Sequence, residues 1–546
     1  MTTLPEPAAP TPKPPALAAQ VSRAILWNTL FAPIRLLAEI LSTLLKLWAL
    51  VPAQYGFLSV FSAVNNGFGT AIDLGTGRAL PKYIPETLRS GGPRAMRRLL
   101  TVVLGMQLAM LVLIAGGQVV FRGLYASSWA TQINGSDAIK ATVRGELLNY
   151  VGTHIWTLIA ITVVLQLVSI FYDVGMAYLS SFFKQRAWNA VDITAQVLPK
   201  LLVIGVIAVG WGLPGLLFAM VAAPTIATCA LLWTILRHQR EIAALPQPAE
   251  IGPRIPAGFM SYCAVSLLMN GSDFVASANF AIFFAGGLVN AGVLTAGVSI
   301  VRMVLATLYT PMVGLQVPLF TRVRGGEGGT INGAYQSVVR LQVLLLIPGG
   351  VGLLVLAQQV FASLLPEYSA AATLVWVLVP CLFVESMLSA AHNALIVYER
   401  LGSVVMSRVL ALVAVPLVVM LSPVLGIVGV ALAFGLARVA AGLWVTLRGG
   451  QLLGLRWPWH FTLRVLLASG MMAAVVGGLS ILLPTLTLEA TALDRLLQLP
   501  LLLGVAIVGA LVLFGALRLT GGLDPADREQ LMRLKLPGKR WIMRIL

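Results

Sequence analysis

The sequence predicts an all-α polytopic membrane protein. About fourteen transmembrane helices are expected, as two pseudo-symmetric six-helix bundles around a central cavity plus two additional C-terminal helices. Three observations predict this. Of 546 residues, 58% are hydrophobic and 10% charged, with a mean hydropathy of +0.90, whereas a soluble domain carries about 25% charged residues. Apolar runs of ~20 residues, the length that crosses a bilayer as a helix, recur along the chain. A block from the first half also returns in the second.

Residues 1–20, rich in Pro and Ala, predict a disordered cytoplasmic lead, because repeated proline removes donors and blocks helix propagation. They do not form a signal peptide: the first apolar run begins near Ala24 and no small-residue cleavage site follows it. Candidate spans lie near 24–48, 56–80, 97–121, 150–179, 189–210, 214–236, 258–284, 289–318, 338–364, 371–396, 403–421, 424–446, 461–484 and 498–518. With the N-terminus inside, loop charges alternate. Lys82, Arg89, Arg94, Arg97 and Arg98 fall on one side, as do Arg237 and Arg240, Arg322 and Arg324, Arg400 and Arg408, Arg448 and Arg456, and the tail from Arg528 to Arg544. The opposite loops are short and nearly neutral, except a long one after Phe121 whose charges almost cancel. Short loops rich in Lys and Arg stay cytoplasmic, so both termini are expected there.

This pattern accounts for the net charge of +17 through anionic headgroups and orientation, with no nucleic-acid partner. Cys229, Cys263 and Cys381 all lie in apolar runs without CxxC spacing, which predicts packing residues and no metal or disulfide framework. No Walker motif, HExxH or GxSxG occurs, and there is no soluble domain to hold paired catalytic carboxylates. The chain is therefore expected not to be an enzyme.

The segment from Phe183, FKQRAWNAVDITAQVLPKLLVIGVIAVGWGLPGLLFAM, matches the segment from Val397 without a gap at an offset of 214 residues. Arg186 falls on Arg400, Gly212 on Gly426 and Gly215 on Gly429. A second echo pairs the stretch from Tyr55, YGFLSVFSAVNNGFGTAIDLGTGRALPKYIPE, with the one from Ala291, AGVLTAGVSIVRMVLATLYTPMVGLQVPLFTRV. The repeat implies six-helix halves at 21–245 and 250–450, two further spans within 451–520 and a basic cytoplasmic tail at 521–546. An even number of spans per half gives both copies one orientation, with a cavity between them.

Charges inside the spans point to function, because an ionised side chain at the bilayer centre costs ~2.5–3.5 kcal/mol even on insertion scales and usually faces water or a partner. Arg35 and Glu39 are four apart on one helix face, either as a structural pair or with Glu39 orienting a cavity-facing Arg35. Asn65, Asn66, Asp73 and Arg78 share one apolar run, with Asp73 either holding Arg78 or meeting an ion. Arg302 has long apolar flanks and no acidic partner in its own helix. Asp273 is its expected counter-charge or an ion-coupling carboxylate, on a polar face with Asn270. Glu385, locally unpaired, is a further ion- or proton-coupling candidate, while Arg438 is read as a headgroup contact.

The stretches from Tyr55 and Gly292 resemble the second and eighth helices of polysaccharide-export flippases, members of the multidrug/oligosaccharidyl-lipid/polysaccharide exporter superfamily. The resemblance covers most of 21–450 as a pattern of small, apolar and turn residues. It implies two six-helix bundles, a V-shaped cavity, alternating access and flipping of a polyprenyl-diphosphate-linked saccharide across a bacterial inner membrane. It also implies that arginines on the first, second, seventh and eighth helices line the cavity, so Arg35, Arg78 and Arg302 become phosphate-binding candidates. Guanidinium suits phosphate through bidentate hydrogen bonds. Some branches add two C-terminal helices forming a lipid-facing groove, and 461–484 and 498–518 are similar in placement. No cofactor is expected beyond coupling to a H+ or Na+ gradient. The expected partners are the lipid-linked glycan, membrane lipids and polysaccharide-synthesis proteins.

The rival within the superfamily is an ion-coupled multidrug or toxic-compound antiporter. Cationic drugs select carboxylates, and the arginines counted above favour an anion. A membrane polymerase or ligase would be expected to carry large external loops, and only the loop after Phe121 is long.

Overall fold

The computed structural model describes residues 36–134, 139, 141–182, 185–243, 255–326, 329–482 and 492–519, and no strand occurs among them. The described part of α1 covers 36–49. The first half continues with α2 (Pro52–Asp73), α3 (Thr76–Val120), α4 (Arg122–Asn134), α5 (Ala141–Ser181), α6 (Gln185–Val209) and α7 (Gly212–Ala243). The second half opens on α8 (Phe259–Val275) and the short α9 (Ala278–Ala281), then α10 (Leu288–Arg324), α11 (Ile331–Leu364), α12 (Ala371–Val397), α13 (Leu401–Ala411) and α14 (Ala414–Leu453). Two more helices follow, α15 (Trp459–Ile481) and α16 (Ala492–Leu519). The lead at 1–20 and the tail at 521–546 lie outside the described residues.

The chain is a multi-pass membrane protein. Among the described residues, ten helices are long and apolar enough to cross a bilayer, or eleven if the bent pair formed by α8 with the short helices after it is one span. The expected fourteen is not confirmed: part of the run at 24–48 lies outside the described residues, and two pairs of runs each fall in one continuous stretch. The runs at 56–80 and 97–121 fall in one apolar helical stretch, Pro52–Val120. The basic segment between them, expected as a loop, stays helical past Pro81 and Pro85 and kinks at Gly92, before Pro93. The runs at 403–421 and 424–446 likewise fall together in Leu401–Leu453, which kinks at Gly426. Proline and glycine here bend helices without ending them.

The internal repeat has a backbone signature. Gly212 and Gly426 both adopt left-handed φ, 58° and 55°, which disfavours any residue bearing a Cβ. Packing repeats too. In the first half α3 packs on α5, α5 on α7 and α6 on α7; in the second α11 packs on α12, α12 on α14 and α13 on α14. α2 and α10, equivalent in the second echo, pack on each other, while α15 and α16 pack together against α11.

Two apolar clusters bracket the site. Phe57, Phe61, Leu288, Ala291 and Leu294 belong to one. Tyr83, Met96, Leu99, Tyr178, Leu231 and Phe259 belong to the other. Near the first, the Trp48 indole donates to the Leu364 carbonyl at 2.8 Å and the Tyr368 hydroxyl to that of Leu50 at 2.7 Å, joining the halves. The long loop after Phe121 is also not a plain loop: α4 buries Trp129 and Ile133, and Trp129 lies 4.6 Å from the Phe57 ring, centroid to centroid.

Candidate functional site

Hydropathy reads the polar stretch from Tyr55 as one span, but α2 stops at Asp73, where Leu74 and Gly75 turn left-handed at φ 52° and 75°. Two helix ends therefore meet at the site and leave backbone groups to be satisfied. Asp73 supplies part of that need. Its Oδ1 accepts from the Gly77 amide at 2.8 Å and the Thr76 hydroxyl at 3.2 Å, placing the carboxylate at the positive end of α3. Its Oδ2 accepts from the Asn270 amide of α8 at 2.8 Å.

Arg78, one turn into α3, crosses to the second half. Its Nη2 donates to Asp273 Oδ2 at 2.9 Å, while Arg408 of α13 approaches Asp273 Oδ1 at 2.6 Å. One carboxylate thus holds two guanidiniums from different halves. All these side chains are partly solvent-accessible, so water and dissolved anions compete for them. Asn66, Asp73, Arg78, Asp173, Asn270 and Asp273 are among the residues lining a cavity of about 710 Å³.

A second ion pair lies deeper in the other half. Arg438 of α14 makes a bidentate contact to Glu385 of α12, with Nε to Oε2 and Nη2 to Oε1 both at 2.6 Å. Its Nη1 donates to the Ala276 carbonyl at 2.9 Å. Ala276 caps α8 where the helix bends by 56° toward the short helices after it, so this arginine satisfies a carbonyl at a broken helix end.

Several sequence expectations are corrected by these contacts. Asp273 pairs with Arg78 and Arg408, not with Arg302. Asp73 does not hold Arg78, because its oxygens are taken by the start of α3 and by Asn270. Glu385 is paired, and its partner is the Arg438 assigned to headgroups. Asn65 is buried, donating to the Phe61 carbonyl, while Gln166 donates to Asn65. Arg35 lies outside the described residues, and Glu39 pairs with Lys200 of α6. Arg302 is exposed, does not line the 710 Å³ cavity and sits within electrostatic reach of Arg438 and Glu385.

The expectation that arginines outnumber carboxylates also fails at this cavity, whose wall carries Asp73, Asp173 and Asp273 beside Arg78. Sequence reading missed Asp173, although IFYDVGMAYL places it inside an apolar run by the criterion applied to Asp73. Arg408 was counted among loop charges, yet it lies within the span expected at 403–421.

This is a helical membrane protein built from two like halves, with charged groups on a cavity between them. No family profile matches the chain, and no curated protein sequence matches it. Solved structures do. The chain is similar to the lipid II flippase MurJ in an inward-closed conformation, at 12% identity and a TM-score of 0.64, covering 90% of this chain and 99% of that one. It is also similar to an inward-facing multidrug resistance MATE family transporter of the MOP superfamily, at 14% identity and TM-score 0.56, covering 77% and 94%. A MATE structure in a bent conformation aligns at 16% identity and TM-score 0.52, covering 80% and 96%. The chain therefore shares the fold of these structures.

Proposed function

We propose that the protein is a flippase that moves a polyprenyl-diphosphate-linked saccharide from the inner to the outer leaflet of a bacterial cytoplasmic membrane by alternating access, with both termini cytoplasmic. The observation that carries this reading is the convergence of Arg78 and Arg408 on the single carboxylate of Asp273. Two cations held by one anion form a site that a diphosphate can take over, because its extra charge and additional oxygens satisfy both guanidinium forks. Exchange of Asp273 for the substrate releases a link between α3, in one half, and α8 and α13, in the other. Binding energy is thereby directed to the conformational step.

The extent of the fold supports the same reading. The flippase likeness covers 90% of the chain, against 77% and 80% for the two MATE structures. α15 and α16 expose Leu463, Leu466, Leu467, Leu503 and Ile507, apolar surface suited to acyl chains or to the isoprenoid tail. A H+ or Na+ gradient is the driving force in this reading. Polysaccharide-synthesis proteins supply the substrate.

The rival, a multidrug antiporter, is favoured by the three aspartates on the cavity wall, which suit a cationic substrate. Reconstitution decides between them. Purified protein in liposomes is expected to move a fluorescent polyprenyl-diphosphate saccharide between leaflets, and Arg78→Ala or Arg408→Ala to abolish this. Transport of organic cations without movement of the lipid overturns the flippase reading.

A further inference from the structure

Resting on the flippase reading, we infer that the cavity is polarised along its length and selects an uncharged, hydroxyl-rich saccharide. The diphosphate lies at the α8 end, against Arg78 and Arg408, and the sugar at the α5–α6 end, against Asp173 and Trp188. α2 packs on α5 of its own half and on α8 of the other. Two of its glycines show how close these helices come: a Cβ on Gly67 would fall 3.1 Å from the Phe274 ring, and one on Gly69 3.3 Å from the Gln166 amide oxygen. The wall of the 710 Å³ cavity therefore runs from Asp273 on α8, past Asp73 and Arg78, to Asp173 and Trp188 on α5 and α6.

The two ends differ in charge. Arg78 is the only cation among the described residues of the wall, and it joins Arg408 on Asp273 at the α8 end. At the other end Asp173 is open to the cavity, makes no hydrogen bond or ion pair among the described residues and stands within electrostatic reach of Asp73. A cleft lined by one sign of charge between walls of low dielectric focuses that field. An acidic sugar placed there meets like charge, which is how a site rejects a ligand that otherwise fits. A neutral sugar meets an acceptor, because one carboxylate takes hydrogen bonds from two hydroxyls at once.

Hydrogen-bonding capacity points the same way. The side-chain amides of Asn66 and Asn279 line the cavity and have no partner among the described residues. Each offers both donors and an acceptor, the complement of a hydroxyl, which also does both. An organic cation would use Asp173 and leave these amides unmatched. The indole N–H of Trp188 is likewise without a partner among the described residues, and its ring gives the electron-rich apolar face on which the C–H side of a sugar packs. One aromatic wall with a few convergent polar groups is the usual make-up of a small-ligand site, and a cavity of this volume encloses a molecule of drug size. It holds a saccharide of a few rings, not a polymer.

Calorimetric titration of the purified full-length protein tests this with three probes: farnesyl diphosphate alone, farnesyl diphosphate bearing a neutral disaccharide, and the same disaccharide ending in a uronate. The neutral probe is expected to bind about tenfold more tightly than bare farnesyl diphosphate, and the uronate probe about tenfold more weakly than the neutral one. Trp188→Ala should bring the neutral probe down to the level of the bare diphosphate, and Asp173→Asn should close most of the gap between neutral and uronate probes. A neutral probe that binds no more tightly than the bare diphosphate overturns the subsite, as does a uronate probe that binds as tightly as the neutral one. Should Trp188→Ala fail to fold, Asp173→Asn decides the matter: an unchanged ratio of neutral to uronate affinity overturns the subsite. The flippase reading fails by a different result. Binding in the expected pattern by protein that moves no lipid in liposomes overturns transport and leaves the subsite, whereas bare diphosphate binding that Arg78→Ala abolishes, with no gain from the sugar, overturns the subsite and leaves the flippase.

Discussion

Gly56 of α2 and Gly292 of α10 meet backbone to backbone where the halves cross. A Cβ on Gly56 would fall 1.8 Å from the Leu288 carbonyl oxygen, and one on Gly292 would fall 2.0 Å from that of Pro52. The contact is reciprocal, and the second sequence echo aligns the two glycines with each other. Gly56→Val or Gly292→Val must push the helices apart, since a carbonyl in a packed helix has no flexible end to give. Overpacking of this kind costs ~1–3 kcal/mol or more. The expected result is a thermal midpoint several degrees lower in either variant. Gly116→Ala, with nothing within 4 Å of its Cβ, should leave it unchanged.

The clasp at Asp273 makes a prediction of opposite sign for its two kinds of member. Arg78→Ala and Arg408→Ala each remove a phosphate donor, and hydrogen bonds to charged groups are worth ~1.5–3 kcal/mol, about tenfold or more in affinity. Asp273→Asn removes the competing anion and should tighten binding of undecaprenyl diphosphate in nanodiscs. Titrations that coincide for all three variants and the unaltered protein would refute the exchange.

Trp129 of α4 is 3% exposed and packs on Phe57, so α4 is tied to the core rather than hanging from α3. Replacing a buried aromatic by Ala costs ~3–5 kcal/mol. Trp129→Ala should therefore speed proteolysis within 122–134 before the rest of the chain is cut, as read by mass spectrometry of the fragments. Cleavage no faster than in the unaltered protein would show that α4 is held by something else.

Much of this architecture was legible in the residues. Long apolar runs, the 214-residue repeat and the left-handed Gly212 and Gly426 tell one story, because bilayer thickness and backbone sterics act on each segment locally. Arg78 and Asp273 were legible as members of the site for the same reason: a charge in an apolar run needs a partner wherever that partner lies. What could not be read was the partner itself. Asp273 to Arg408 and Glu385 to Arg438 join residues far apart in sequence, and nothing in either segment encodes the distance. Arg302 was assigned to the cavity from its isolation and from the resemblance, yet neither says which face of its helix meets which half. The span count stands unconfirmed where a basic, proline-bearing segment stays helical and joins two apolar runs into one stretch.

The Glu385–Arg438 pair yields the last prediction. Both side chains are about a quarter exposed, 27% and 26%, so water screens them less than it screens the clasp at Asp273. Arg438 also holds the Ala276 carbonyl at the bend after α8. Removing one member of a buried pair costs ~3–5 kcal/mol because the other charge is left unmatched, and partial exposure puts this pair at the lower end of that range. Arg438→Leu strands Glu385 and frees the Ala276 carbonyl, so it should lower the thermal midpoint more than Glu385→Gln, which keeps a hydrogen-bonding group beside the guanidinium. The double variant Glu385→Leu with Arg438→Leu removes both charges and should recover part of the loss from Arg438→Leu alone, by an amount that a double-mutant cycle reads as coupling. Strict additivity would show that the two side chains act independently and that the bend is held by other contacts.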